Sequence, residues 1–362
     1  MRRRFVIVAQ RTNGPANGVS AAEARMRVSS ARVCRFCADG AAGVLYACPY
    51  LAFSQQAFDA RHGEDGLVAS RGNAHGAAKG ENLMACLDES ELKTLKPDAL
   101  SPAEIEAKAE SIAVAKAGMK PAKVFVLAML AGAFISFGAL YFCVFLGDPS
   151  IPFAVQRVVG GLCFCLGLVL VLCCGAELFT GNSLMVAALA SKKISVSAML
   201  KNWAIVWVGN LVGALVTVFL VYMAHVADMN GGAVGATMVS VAVSKVTPDW
   251  ITLFFKGILC NIFVCLAVWI GFGARTVVDK VVGILLPISA FVACGFEHCV
   301  ANMFFLPMGL LAKTSGLAAI DASALDLGSI FYNISAATLG NIVGGAVFVG
   351  LAYWFVYRTK AN

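Results

Sequence analysis

Charged residues are scarce in this chain, at 14% of its 362 residues, while hydrophobic residues make up 59% and the mean hydropathy is +0.80. Ordinary soluble domains carry charge on about 25% of their residues, so the shortage excludes that class. Histidine is also rare, with four in the whole chain. Only Cys34 and Cys37 have a spacing typical of metal ligands, and neither a second pair nor a nearby histidine accompanies them. We therefore predict no metal and no cofactor, and we expect lipid to be the solvent for most of the chain.

Six apolar runs have about the length that an α-helix needs to cross a bilayer, roughly 20 residues. They are residues 124–146, 158–176, 203–224, 251–272, 281–296 and 330–357. After a polar interruption, the second and fifth runs continue into shorter apolar pieces at residues 183–190 and 299–312. The sequence therefore predicts an all-α membrane protein with six spans, two of them broken, and a channel domain over residues 124–357.

Basic residues mark the loops of membrane proteins that face the cytoplasm. They concentrate between spans two and three, between spans four and five, and after span six, as Lys192, Lys193, Lys201, Arg275, Lys280, Arg358 and Lys360. The loops between spans three and four and between spans five and six have no basic excess. We expect cytoplasmic N and C termini, with residues 358–362 as a tail. The net charge of +7 then reports orientation and not a nucleic-acid partner.

The first 83 residues have no sustained periodicity and no apolar run long enough to span a membrane. We interpret them as a disordered or mis-annotated extension, with Met84 as the start of the protein. Residues 84–123 then form a cytoplasmic segment. Within it, a helix capping box begins at Ser101, and the helix that follows to about Gly118 has the amphipathic pattern of a surface helix.

Internal repetition is the strongest signal in the chain. The break after span two reads Cys-Gly-x-Glu-x-x-x-x-Asn from Cys174, and the break after span five has the same pattern from Cys294. A second matched pair, Gly-Asn followed by two apolar residues and a glycine, starts at Gly209 and Gly340. Each half therefore has three spans. Because three is odd, the halves are expected to lie in the membrane as inverted copies.

A broken helix inside hydrocarbon exposes backbone groups, which is tolerated only where they face a cavity or are buried in protein. We therefore expect residues 177–182 and 297–302 to meet near the membrane midplane and to line a permeation path. For the two carboxylates of the breaks, Glu177 and Glu297, we favour a structural role, because a carboxylate in an anion path repels the solute.

These motifs resemble the formate/nitrite transporter family over about residues 104–357. The segments that carry the similarity are residues 176–182, 201–203, 260–269 and 295–303. The resemblance implies an aquaporin-like fold, assembled as a homopentamer in the lipid of the bacterial inner membrane. It also implies one pore in each protomer, which passes small anions such as formate and nitrite.

The resemblance further implies roles for single residues. His298 matches the central pore histidine, and Thr180 matches the threonine of the first broken loop. Other matched positions are Lys245 at the vestibule, Asn261 beside the pore, Asn302 and Asn341 near the two breaks, and Phe164, Leu168, Leu178, Phe179 and Phe291 as apolar constrictions.

The subtype stays open between formate and nitrite. Residues 159–164 and 302–309 are similar to formate channels, whereas Lys256 stands where nitrite channels carry a lysine. Formate-type sequences have two histidines after Lys245, where this chain has Thr247 and a proline. We expect formate as the main substrate, with nitrite as the alternative.

The residues suggest a mechanism for anion passage. Lys245 and Lys256 raise the local anion concentration at the outer mouth, although Lys256 is equally able to extend to the membrane interface. Apolar rings beyond them exclude bulk water. His298, the single histidine within a predicted span, donates a hydrogen bond or a proton. Because the pKa of an unperturbed histidine is about 6.5, we expect passage to depend on pH.

Two other classes of function compete with an anion channel. A neutral-solute channel for water or glycerol shares the architecture. A membrane enzyme is the weaker alternative: His298 with Cys299 and Glu297 resembles part of a nucleophilic site, but these neighbours cannot all face one substrate. Nothing in the sequence supplies an oxyanion hole, so we predict no enzymatic activity.

Overall fold

The computed structural model describes residues 99–316 and 321–358, all within one compact unit that begins at Pro97. The predictions for residues 1–83, and for the tail beyond residue 358, lie outside these ranges. The regular structure of the described ranges is helical. In chain order the helices are α1 (Pro102–Ala117), α2 (Pro121–Leu146), α3 (Phe153–Cys174), α4 (Phe179–Ala190), α5 (Val196–Met223), α6 (Ala233–Val246), α7 (Trp250–Gly273), α8 (Val277–Ala293), α9 (Cys299–Thr314) and α10 (Leu327–Tyr357).

Five of these helices, α2, α3, α5, α7 and α10, are long and apolar enough to cross a membrane. They correspond to five of the six predicted spans, with shifted ends. The remaining predicted span corresponds to α8, whose 17 residues are fewer than the roughly 20 that a bilayer requires. The predicted apolar pieces after the two polar interruptions are α4 and α9.

The capping box at the start of α1 is confirmed. The hydroxyl of Ser101 accepts a hydrogen bond from the Glu104 amide, and the Glu104 carboxylate accepts one from the Ser101 amide at 2.8 Å. The expected surface character of α1 is wrong on one face, because Glu106 and Glu110 are buried. Glu110 accepts hydrogen bonds from Lys193 and from the Ser191 hydroxyl, which lie just after α4. These contacts tie α1 to the channel domain.

The expected loop between spans three and four instead contains the apolar helix α6. Gly232, with φ at 90°, begins this helix, which packs against α9. Lys245 lies in its last turn, and its side chain is only 13% exposed. The sequence prediction treated Lys245 as a loop residue, and the structure shows a helical residue directed into the protein.

Two helix pairs pack backbone to backbone through their glycines. A Cβ built on Gly213 of α5 would lie 1.9 Å from the Met129 carbonyl oxygen of α2. A Cβ built on Gly344 of α10 would lie 2.2 Å from the Ile258 carbonyl oxygen of α7. Each glycine ends a Gly-x-x-x-Gly motif, the small-residue pattern that brings membrane helices close together. The matched sequence motifs therefore perform the same packing task in both halves.

Helix α10 departs from α-helical geometry over Gly344–Leu351, which is π-helical. The side-chain amide of Asn261 donates to the Asn341 carbonyl oxygen at 2.6 Å, just before this segment. That carbonyl is the acceptor which a continuous α-helix would offer to the amide four residues later. Insertion of a side chain into the ladder is a recognised cause of such irregularities. The corresponding part of α5 is regular α-helix.

Candidate functional site

Both helix breaks have the same backbone course. Gly175 and Gly295 have φ of 79° and 69°, a left-handed conformation that glycine adopts without a steric penalty. A short extended stretch follows, in which Leu178 and His298 have almost equal φ angles of −104° and −105°. Helices α4 and α9 begin at the next residue. The matched sequence patterns therefore produce matched interruptions.

One asparagine holds each break in place. Asn210 accepts a hydrogen bond from the Phe179 amide at 3.0 Å and donates to the carbonyl oxygens of Ala128 and Glu177 at 2.7 and 2.9 Å. These bonds satisfy buried backbone groups that the interrupted helix leaves without partners.

Asn341 makes the equivalent set of bonds at the second break. It accepts from the Cys299 amide at 2.9 Å and donates to the carbonyl oxygens of Gly257 and Glu297, both at 2.8 Å. Asn341 was predicted as a pathway residue, but its side chain is fully occupied by backbone contacts. Asn210 was not predicted to be a site residue, although it lies in the matched Gly-Asn motif.

The carboxylates of the breaks are buried in matching polar networks. Glu177 is bonded to Lys116 of α1 at 3.0 Å and accepts from Asn182 at 2.8 Å. Lys116 also reaches the Asn182 side-chain oxygen at 2.7 Å, and Asn182 donates to Asn202. The first glutamate is therefore neutralised by a lysine of α1, the helix whose sequence pattern predicts a surface position.

The second network repeats the first with a lysine from α6. Glu297 is paired with Lys245 at 3.2 Å and accepts from Asn302 at 2.7 Å and from Asn333 at 3.2 Å. Asn302 and Asn333 are bonded to each other at 2.7 Å. These contacts support the structural role expected for the two glutamates, because their oxygens are occupied within the protein.

His298 and Thr180 are brought together from the two breaks. The Thr180 hydroxyl lies 3.1 Å from Nε2 of His298, and both residues are buried. Nδ1 of the ring accepts a hydrogen bond from the Ala301 amide at 3.0 Å, so His298 caps helix α9. A neutral imidazole has one acceptor and one donor nitrogen. The cap therefore leaves Nε2 as the donor, directed at Thr180.

Asn261 joins the first break to the second half of the chain. Its side-chain amide donates to the Thr180 carbonyl oxygen at 3.2 Å and to the Ser183 hydroxyl at 3.3 Å, in addition to the bond to Asn341. Its buried side-chain oxygen has no hydrogen-bond partner within the described ranges. Asn261 thus fixes the backbone of Thr180 from behind.

A large cavity of about 210 Å³ lies on one side of His298. Its aromatic lining includes the predicted residues Phe164 and Phe291 and also Phe305, which was not predicted. The Phe164 ring packs edge-on to Phe291, with centroids 5.7 Å apart, and is stacked on Phe305 at 6.3 Å. The Phe291 ring stacks on His298 at 6.0 Å. An apolar ring set therefore lines the large cavity beside the buried histidine, which is itself part of the cavity wall.

A small cavity of about 40 Å³ lies beyond the first break. It is lined by the predicted residues Leu168 and Leu178 and by residues of α1, including Lys116. Leu168 is one helical turn from Phe164, which lines the large cavity. Phe179, a further predicted constriction, lines neither cavity. It packs edge-on against Trp203 at 6.3 Å.

Both predicted lysines line the large cavity. The Lys245 ammonium lies 5.4 Å from the centre of the Phe305 ring as well as beside Glu297. The Lys256 carbonyl oxygen accepts from the Glu297 amide at 3.3 Å, which places Lys256 at the level of the second break. Lys256 is one of the residues that line the cavity, and its pathway role stays a prediction. Arg157, which was not predicted, also borders this cavity.

Comparisons with known proteins agree with this arrangement. The family described as "Formate/nitrite transporter" matches residues 103–355. The formate channel FocA of Escherichia coli K12 is 41% identical over 271 residues, which cover 72% of this chain and 95% of the relative. The formate channel FocA of Haemophilus influenzae is 36% identical over 281 residues, covering 75% of this chain and 99% of the relative.

A solved structure described as "Pentameric formate channel with formate bound" is 38% identical to this chain, with a TM-score of 0.62. The match covers 66% of this chain and 98% of that chain. The apolar helices, the paired breaks and these matches together identify a multi-pass membrane protein. The chain belongs to the formate/nitrite transporter family.

Proposed function

We propose that this protein is a channel for small monovalent anions, with formate as the main substrate and nitrite as the alternative. The observation that carries the proposal is the contact of 3.1 Å between the buried residues Thr180 and His298, of which His298 lines the large cavity. The relatives whose names mention formate support the choice of substrate.

The proposed membrane arrangement has six spans in two inverted halves, in the bacterial inner membrane, with both termini cytoplasmic. The matched hydrogen bonds of Asn210 and Asn341 support the repeat. The basic residues after α4, before α8 and after α10 support the orientation. In this orientation the large cavity faces outward and the small cavity faces the cytoplasm. We propose a homopentamer, as in the solved relative's description.

In the proposed mechanism, the positive large cavity concentrates anions near Lys245. The ring set of Phe164, Phe291 and Phe305 then removes water, which makes an unaccompanied anion costly. The Nε2–H group of His298 and the Thr180 hydroxyl supply hydrogen bonds that replace part of the lost hydration. Full neutralisation requires a proton, so we propose that passage increases as the outside becomes acidic.

The hydrogen bond from the Ala301 amide to Nδ1 determines whether His298 can transfer a proton. To give away a proton and remain neutral, the ring must first be protonated at Nδ1, which breaks the hydrogen bond from the Ala301 amide. The resting ring is therefore a hydrogen-bond donor. Proton transfer to the anion requires a transient loss of the cap.

The proposed test measures formate, nitrite and glycerol flux in proteoliposomes between pH 5 and 8, for the parent and for His298→Phe. The phenyl ring keeps the shape but removes donor and acceptor, so we expect anion flux to fall at least about tenfold, the loss expected from one charge-assisted hydrogen bond, and its pH dependence to disappear. Equal rates and equal pH profiles would show that His298 only packs. Glycerol flux without anion flux would establish the neutral-solute alternative, and chemical change of the solute would establish an enzyme.

A further inference from the structure

Two cationic residues at the large cavity have no carboxylate partner among the residues that the structure describes. Lys245 is paired with Glu297. Arg157 and Lys256 border the same cavity, and no carboxylate within residues 99–316 and 321–358 lies at ion-pair distance from either. Isolated charges of one sign at one cavity form an electrostatic site for a counter-ion.

The position of Arg157 is fixed by its neighbours. Its guanidinium lies over the Phe153 ring, 5.3 Å from the centroid. A Cβ built on Gly295 would lie 3.6 Å from one guanidinium nitrogen, so the group stands beside the second break. Lys256 is anchored at the same level, because its carbonyl oxygen accepts from Glu297. Both residues therefore line one cavity, Arg157 from α3 and Lys256 from α7.

The charges of this cavity do not cancel. Arg157, Lys245 and Lys256 contribute three positive charges and Glu297 contributes one negative charge, which leaves a formal charge of +2. The small cavity differs, because its cation Lys116 is neutralised by Glu177. One monovalent anion neutralises only half of the excess charge in the large cavity.

The volume also exceeds what one formate ion requires. A liquid water molecule occupies about 30 Å³, and the large cavity measures about 210 Å³. Formate has only three heavy atoms and leaves most of that space to water. The remaining wall is largely apolar and includes five phenylalanines, which suits a short hydrocarbon chain between two anionic groups.

We infer that Arg157 and Lys256 form a binding site for a small dicarboxylate in the large cavity. One carboxylate pairs with the planar guanidinium of Arg157, which suits a two-pronged contact, and the other pairs with Lys256. The buried ring set in the wall of the cavity prevents this larger dianion from crossing, so it blocks the path. The blocking part of the inference rests on the proposed function, whereas the binding part stands without it.

Binding is tested on the purified full-length protein with malonate, and with propionate as the monocarboxylate of equal carbon number, at equal ionic strength and pH 7.5. Thermal unfolding is followed against ligand concentration. We expect malonate to stabilise the parent at roughly tenfold lower concentration than propionate, and Arg157→Gln or Lys256→Gln to remove about tenfold of that preference, as expected for one charge-assisted pair. Lys123→Gln, a change of equal charge at an exposed residue outside the cavity, should leave it unchanged.

A second arm measures formate flux in proteoliposomes with malonate outside. Block of the parent that weakens in the two cavity variants supports the full inference. Equal effects of malonate and propionate, or equal malonate binding in the cavity variants and in Lys123→Gln, would overturn it. Malonate binding with no formate flux in any variant would reject the proposed function while leaving the dicarboxylate site in place.

Discussion

Thr180 is the residue that most directly links the two breaks. Its hydroxyl is the observed partner of Nε2 of His298, and its carbonyl oxygen is held by Asn261. Both the backbone and the side chain of Thr180 are therefore held in place, so the hydroxyl fixes the position of the His298 ring. At a buried position, one hydroxyl is a sizeable part of the polar surface that an anion meets.

We predict that Thr180→Val lowers formate flux by about tenfold, because the methyl group removes the acceptor of a buried imidazole N–H at a cost of about 1–3 kcal/mol. Thr180→Ser keeps the hydroxyl and should retain most of the flux. Both variants are compared with the parent in proteoliposomes across pH 5 to 8. If the valine variant has the parent's rate and pH profile, the loop is only a structural break.

The two break asparagines lead to a prediction about stability. Asn341→Ala removes three buried hydrogen bonds and leaves the Cys299 amide without a partner, so we expect a destabilisation of about 3 kcal/mol or more. Asn210→Ala should cost a similar amount, because its bonds are equivalent. Thermal unfolding of the purified variants measures the effect.

Asn230→Ala serves as the control for these variants. Asn230 is exposed and makes one hydrogen bond, to the Gly147 carbonyl oxygen at 3.0 Å. A loss of about 1–2 kcal/mol is expected there, because the variant loses one hydrogen bond and places alanine at a left-handed φ of 52°. Equal unfolding temperatures for the alanine variants at positions 210, 230 and 341 would contradict the claim that the asparagines hold the breaks.

At the scale of elements, α1 behaves as a cover for the small cavity. Ala109, Ile112 and Ala113 line that cavity, and Lys116 supplies the cation for Glu177. Burial, followed by the nearby Glu110 carboxylate, raises the pKa of Glu106 from its ordinary value of 4.5 to about 7, although Lys193 opposes this. The docked helix therefore prefers a protonated Glu106.

We predict that α1 docks most strongly below about pH 4.5 and loosens as the pH rises through about 7, since the raised pKa makes ionisation of Glu106 unfavourable in the docked state. Amide hydrogen exchange of α1 at pH 5.5 and pH 8, corrected for intrinsic exchange, should show weaker protection at pH 8. Glu106→Gln should remove this dependence. Glu110→Gln, which loses the Lys193 pair, should weaken docking at both pH values. An unchanged pH dependence in Glu106→Gln would contradict the prediction.

Helix α6 shows why local sequence patterns do not predict part of the site. Its 14 residues are too few for a span, so the apolar pattern was interpreted as part of a loop. The glycine pair before Ala233 was the available signal for a helix start. The contact of Lys245 with Glu297 joins residues 52 positions apart, which depends on how α6 packs and not on any local pattern.

For the whole molecule, local patterns are sufficient for five of the six predicted spans, the two breaks and the cap at Ser101. Length and hydropathy determine a span, and glycine followed by a buried carboxylate marks a break. Local patterns do not predict the lysine partners of the two glutamates, because Lys116 and Lys245 come from helices outside the matched motifs. A sequence motif reports the residues of a break, whereas its charge partners depend on tertiary packing.

A related limit concerns asymmetry between the halves. The motifs at Gly209 and Gly340 predicted equal helices, yet only α10 has a π-helical segment. We attribute the π-helical segment to Asn261, which contacts the Asn341 carbonyl oxygen. At the equivalent position of the other half, Gly132 lies beside the Asn210 carbonyl oxygen. A glycine offers no amide to insert into the neighbouring helix. One residue outside the repeated motif therefore changes the helix that the motif begins.

The last prediction concerns how much of the chain the channel needs. The family match begins at residue 103, and the hydrogen-bonded cap of α1 begins at Ser101. We expect a chain that starts at Met84 to insert into membranes and to pass formate at the parent's rate, because α1 and its contacts are retained.

A chain that starts at Met119 lacks α1 and leaves Glu177 without Lys116, so we expect lower thermal stability and altered flux. The Lys116→Ala variant removes the charge but keeps α1, so it separates the effect of the lost charge from the effect of the lost helix. Both shortened chains and the point variant are compared in unfolding and proteoliposome flux. Loss of insertion or flux in the chain starting at Met84 would show that the first 83 residues contribute to the channel.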